Sequence, residues 1–137
     1  MRTVFADSSY WIALTNSKDQ WHNLAVEVSS QLGACRILTS EMVLVEFLNH
    51  LCGKGKVLRE AAVAMVDRMR GKINVTVLPQ TQNLFVRAFD LYRNRPDKNY
   101  SLTDCSTMVL MAKKGVSEIL SMDLHFEQHG LTILLKQ

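Results

Sequence analysis

Apolar and polar positions along the chain switch repeatedly between the two-residue period of strands and the three-to-four-residue period of helices. Thr3–Ala6 is a short strand-like run, and Ser9–Thr15 and His22–Leu32 follow as helix candidates, the second closed by Gly33. Arg36–Thr39 reads as a strand. Ser40 then caps a helix whose Val43, Phe47 and Leu51 recur at i, i+4 and i+8 on one face. Gly53 and Gly55 interrupt the chain before an amphipathic helix over Val57–Arg70, which Gly71 ends. Ile73–Leu78 is a strand by its β-branched content. Thr81–Arg93 is helical, with Leu84, Ala88 and Leu91 inward, and Leu102–Lys114 is helical up to Gly115. The remainder is a strand at Ser117–Ser121, a short helix at Leu124–His129 stopped by Gly130, and a last strand at Leu131–Leu135.

Strands separated by helices require crossover connections. The pattern therefore predicts an α/β fold with a central, mostly parallel sheet flanked by helices on both faces. Ligands of such sheets sit in the crevice beyond the carboxyl ends of the strands. With 137 residues, one domain spanning 1–137 is expected, large enough for a core without staples. The longest apolar runs fall well short of the ~20 residues a bilayer requires. An acid at position 7 precedes any signal-like apolar stretch, so a cytoplasmic protein with no membrane partner is expected. Cys35, Cys52 and Cys105 are odd in number and lack CxxC spacing, which excludes a disulfide framework as the organising principle. A net charge of +3 is compatible with a polyanionic partner.

Candidate chemistry lies in four acids on four separate segments. Asp7 ends the first strand, and Asp123 follows the strand before it. Asp104 lies in the first turn of its helix, and Glu46 lies six residues after Ser40, roughly 9 Å along its helix at ~1.5 Å per residue. A bland reading competes for three of them. Asp7 and Asp123 each precede a helix, and Ser101 with Asp104 has the spacing of a capping box. Glu46 escapes it, because a mid-helix carboxylate among the apolar residues of VLVEFL cannot cap, and is costly unless solvated, paired or bound to a cation. If the four converge, mutual repulsion raises their pKa values until a cation neutralises them. An oxygen-only ligand set suits Mg²⁺ or Mn²⁺.

These segments resemble the motifs of PIN-domain nucleases, including VapC-type toxins. The opening VFADSSYWIAL is similar to the first motif, TSEMVLVEFLNHL to the second, and DKNYSLTDCSTMVLMAKKGVSEILSMDLHFEQHG to the third and fourth together. The likeness covers essentially the whole chain, and Ser101–Gly130 is its most specific part. It implies a PIN-like three-layer fold and a metal-dependent endoribonuclease with Mg²⁺ (or Mn²⁺) on Asp7, Glu46, Asp104 and Asp123. It also implies Ser8 or Ser9 and Ser106 or Thr107 as supporting polar groups. Implied partners are an RNA substrate, a second copy of the chain and a cognate antitoxin protein. Tyr100 stands where many relatives carry tryptophan.

Other features carry less. His125 and His129 have i, i+4 spacing, but no CxxC or HExxH accompanies them and zinc is not expected. Cys105 reads as a small buried hydrophobe, and Tyr10, Trp11 and Phe47 read as core or interface. Most basic residues fit solvated helix faces. Arg93, Arg95 and Lys98 precede the Asp104 helix and are candidates for a rim that holds RNA phosphates. A phosphatase needs an acid where Ser9 stands, and a receiver domain needs an acidic pair where Phe5 and Ala6 stand. The rival from another class is a non-catalytic RNA-binding or protein-interaction domain, and retention of all four acids argues against it.

Overall fold

The computed structural model describes residues 1–137. Five strands form one sheet in the order β3-β2-β1-β4-β5, with β1 at Arg2–Ala6, β2 at Cys35–Ser40, β3 at Val75–Leu78, β4 at Glu118–Leu120 and β5 at Thr132–Ile133. All four pairings are parallel. Between them lie α1 (Ser8–Thr15) and α2 (His22–Gln31), then α3 (Glu41–Leu51) and α4 (Lys56–Gly71). The second half carries α5 (Gln82–Asn94), α6 (Leu102–Lys114) and α7 (Leu124–Gln128).

The chain moves outward from β1 to β2 to β3, then returns across the sheet to β4 and β5. With right-handed crossovers, α1–α4 cover one face and α5–α7 the other. The packing agrees: α1 rests on α2 and α3, α3 on α4, and α5 on α6, while α3 also meets α6. Covered on both faces, β1 buries Val4, Phe5 and Ala6 completely, so it has no in–out alternation. Phe5, Phe47, Phe126, Leu51, Met111 and Ile119 are the largest wholly buried side chains. Tyr10 and Trp11 join this core.

The reversal of direction falls between β1 and β4, so the crevice of this fold opens there, at their carboxyl ends. Most expected boundaries shift by a residue at one end or both, and three of the differences have a local cause or consequence. β3 starts at Val75 because Val75 N–H bonds back to Lys72 in a turn, which leaves Ile73 fully exposed. β5 is shorter than Leu131–Leu135, although Leu134 and Leu135 still donate to Ile119 and Ser121 carbonyls. Gly71 is the last residue of α4 rather than its breaker, and Gly115 closes α6 in the left-handed region at φ 68°. No helix is long and apolar enough to cross a membrane.

Candidate active site

Asp7 leaves β1 at the reversal point and is pinned there. Its N–H donates to the carbonyl of Leu120 at the end of β4, 3.2 Å away. Beside it, Thr39 Oγ1 donates to Ala6 O at 2.9 Å and accepts from Trp11 Nε1 at 3.2 Å, tying β1, β2 and α1 together. Asp7 holds the N-cap position of α1, yet its side chain makes no capping bond. Instead Oδ2 accepts from Ser9 Oγ at 3.2 Å and Ser121 Oγ at 3.1 Å, while Oδ1 is buried without a partner. Burial, with the charges of Glu46 and Asp104 adding to it, pushes this carboxyl up to about 7.

Asp123 and Asp104 do cap, as the bland reading holds, and they still reach the crevice. Asp123 Oδ1 accepts from His125 N–H at 2.9 Å. Ser101 and Asp104 form the reciprocal capping box at the start of α6, both bonds 3.0 Å long. Asp104 is buried, and burial together with Asp123 and Glu46 raises its pKa, against the hydrogen bond from Ser101 and the nearby His125. Glu46 is half-buried on α3, and Ser8 Oγ at the start of α1 donates to its Oε1. Four segments thus bring their carboxylates to one crevice.

Two further residues belong to this arrangement: Ser121, which the sequence does not signal, and His125, which the sequence places at most on its rim. Ser121, wholly buried, donates to Asp7 Oδ2 and accepts from Asp123 N–H at 3.0 Å, so it bridges two of the acids. His125 Nδ1 lies 3.3 Å from Asp104 Oδ2 and 3.2 Å from Asp123 Oδ1, and neither contact has hydrogen-bond alignment. Donor atoms of Asp104, Asp123 and His125 all fall within 4.8 Å of one another. A strand-exit serine gives no sequence signal of its own. The histidine has one, its position two residues after Asp123, which places it beside Phe126 or on the rim of the site; its contact with two of the acids is visible only in the fold.

Among the other candidates, Ser8 and Ser9 bond to Glu46 and Asp7. Ser106 and Thr107 bond to none of the acids. Ser106 Oγ returns to the Thr103 carbonyl of its own helix at 2.8 Å, and the buried Thr107 hydroxyl has no partner. Arg93, Arg95 and Lys98 line a separate groove that begins at Ser101. The site fits a divalent cation on three counts: an orphaned buried oxygen on Asp7, a mostly oxygen donor set, and two carboxyls that burial and crowding hold high.

The PIN domain family matches residues 4–130. The "23S rRNA-specific endonuclease VapC20" of Mycobacterium tuberculosis is 28% identical over 130 residues, 93% of this chain and 94% of that protein. The crystal structure of the M. tuberculosis protein, described as a sarcin-ricin loop cleaving toxin, superposes with a TM-score of 0.85 at 27% identity, covering 94% of this chain and 96% of that one. The VapBC-1 structure from nontypeable Haemophilus influenzae matches at a TM-score of 0.64 and 14% identity, over 98% of this chain and 99% of that one, a likeness of fold.

Proposed function

The chain belongs to the PIN domain family, and from that premise we propose that it is a metal-dependent endoribonuclease hydrolysing RNA phosphodiester bonds. Asp7, Glu46, Asp104 and Asp123 are its catalytic acids, and residues 1–137 act as one such domain. The observation that carries the reading is the unpartnered, buried Asp7 Oδ1 in a crevice shared by three more carboxylates.

Each acid is held so that part of it stays free for a ligand. Ser9 and Ser121 take up Asp7 Oδ2 and leave Oδ1. Ser8 fixes Glu46, and the capping box fixes Asp104. His125 Nδ1, 3.3 Å from Asp104 Oδ2 and 3.2 Å from Asp123 Oδ1, sets a nitrogen at the same edge. Mg²⁺ or Mn²⁺ suits this set, and when bound it would polarise the phosphodiester and lower the pKa of an attacking water. The residues' own contribution is to fix the donors, exclude bulk water from Asp7 and orient the strand.

The likeness to VapC20 over nearly the full length of both chains supports the role of toxin in a toxin–antitoxin pair. Partners would then be RNA, a second copy of the chain and an antitoxin protein. Exposed apolar residues such as Val45, Val57 and Val63 on α3 and α4 offer surface for the protein partners.

The test is cleavage of a mixed RNA pool by purified protein with Mg²⁺ or Mn²⁺, with EDTA, and with Asp104→Asn. Asparagine keeps a carbonyl oxygen for the α6 cap while removing the charge. Cleavage that requires metal and falls at least a hundredfold in the variant is the expected outcome. Cleavage that survives in Asp104→Asn would remove Asp104 from the site.

A further inference from the structure

Next to the acidic crevice runs an open groove of about 570 Å³, whose walls include Tyr92, Arg93, Arg95, Lys98, Tyr100 and Ser101. We infer that this groove is a nucleotide subsite: it takes the unpaired nucleotide beside the scissile bond, its base on the Tyr92 ring and its phosphate on Lys98. The inference rests on the ribonuclease reading and adds to it where the substrate strand lies.

Position comes first. Ser101 belongs to the groove wall, and its backbone N–H donates to Asp104 Oδ2 at 3.0 Å. On the same wall, Tyr100 packs edge-on against His125, with ring centroids 5.7 Å apart, and His125 itself touches Asp104 and Asp123. One residue's thickness therefore separates the groove from the acids.

Charge comes next. No carboxylate lines the groove, whereas three cations do. They are not equivalent. Arg95 places Nε and a terminal nitrogen on Asp97, each at 3.0 Å, and lies 5.9 Å over the Tyr100 ring, so it builds the wall. Arg93 is partly engaged, bonding to Asp90 at 3.1 Å and covering Phe89 at 4.8 Å. Lys98 forms no ion pair with any carboxylate, which leaves it free for a phosphate. The exposed pair of Arg93 contributes little and can give way to a second phosphate.

The aromatic wall completes the fit. Tyr92 is 50% exposed at the end of α5 and presents its ring to the groove wall. Such rings stack bases with little regard to sequence. Tyr100, by contrast, is 5% exposed, and its hydroxyl has no hydrogen-bond partner within the protein. A buried hydroxyl left unsatisfied in the wall of a polar groove is the group a bound nucleotide would complete.

The experiment uses a fluorescein-labelled 12-nucleotide single-stranded RNA of mixed sequence. Affinity is read by anisotropy across a salt series, in the Asp104→Asn background with Mg²⁺ so that the strand stays intact. Tyr92→Leu is expected to weaken binding about tenfold. Lys98→Gln is expected to lower the salt slope by about 0.7, one phosphate on a single strand, and Arg93→Gln by less. Lys56→Gln, on the remote α4, serves as the control for loss of charge alone. Equal affinity of Tyr92→Leu, Lys98→Gln and their parent overturns the subsite, as does a parent that does not bind the RNA. If the groove variants lose binding while no form of the protein cleaves RNA, the subsite stands and the ribonuclease reading fails. If the chain carrying Asp104 cleaves RNA and the groove variants in that form match it in kcat/KM and affinity, the opposite holds.

Discussion

Asp7 shows how one residue can stand in a stabilising position and weaken the fold. It occupies a helix N-cap without capping, is 4% exposed, and leaves one oxygen unpaired. Its folded pKa of about 7 exceeds the ordinary 3.8, so between those values the folded chain binds the proton that the unfolded chain releases. Stability of the metal-free protein therefore falls as pH rises from about 4 to 7, and changes little from this group above that range. Thermal melts in EDTA should show this decline, and Asp7→Asn should remove it. At pH 8 the variant should be the more stable by up to about 4 kcal/mol, from ~1.36 kcal/mol per pH unit. A wild-type melting temperature that stays flat from pH 4 to 8 would contradict the account of Asp7 as a carboxyl raised by burial and by its acidic neighbours. The sequence could not separate this aspartate from Asp104 and Asp123. All three have the composition of a cap, and only hydrogen-bond geometry distinguishes the one that does not act as one.

Among the elements, α6 carries the clearest link from local sequence to site. Ser101 and Asp104 satisfy each other's backbone N–H groups, and the same bond fixes the Asp104 carboxylate against the crevice. Ser101→Ala should cost about 1 kcal/mol in urea denaturation and should lower activity by more than that stability loss explains. Ser101→Thr, which keeps the oxygen, should restore both. A Ser101→Ala variant of full activity would mean that the cap does not position Asp104. Helix periodicity and the caps at Ser40 and Ser101 were legible because they depend on near neighbours. The start of β3 was not, because Ile73 has the β-branched side chain of a strand residue, yet a turn through Lys72 leaves it in water. The reach of β5 was also not legible, since an edge strand gains pairing from one side only.

At the scale of the whole molecule, the sheet order pairs the ends of β1 and β4, Ala6 beside Leu120, although the two lie 114 positions apart in the chain. A cation bound there holds together segments from both halves of the chain, so its binding energy adds to folding stability. Saturating Mn²⁺ or Mg²⁺, at about a hundred times its dissociation constant, should stabilise the protein by about 2.7 kcal/mol. That is a rise in melting temperature on the order of 10 °C, and the effect should vanish in Asp7→Asn with Asp104→Asn. No shift with either metal would remove the cation from the account. The sequence alone determined the alternation of strands and helices, the parallel sheet this requires, and the four acids with their flanking motifs. Those depend on periodicity and on short-range spacing. Tertiary structure alone decided that Ser121 bridges Asp7 and Asp123, that His125 faces two carboxylates, that Ser106 and Thr107 turn away from them, and that Lys98 is the free cation of its groove. Each depends on which distant segments lie side by side and how their side chains are aimed, and spacing along the chain does not encode that.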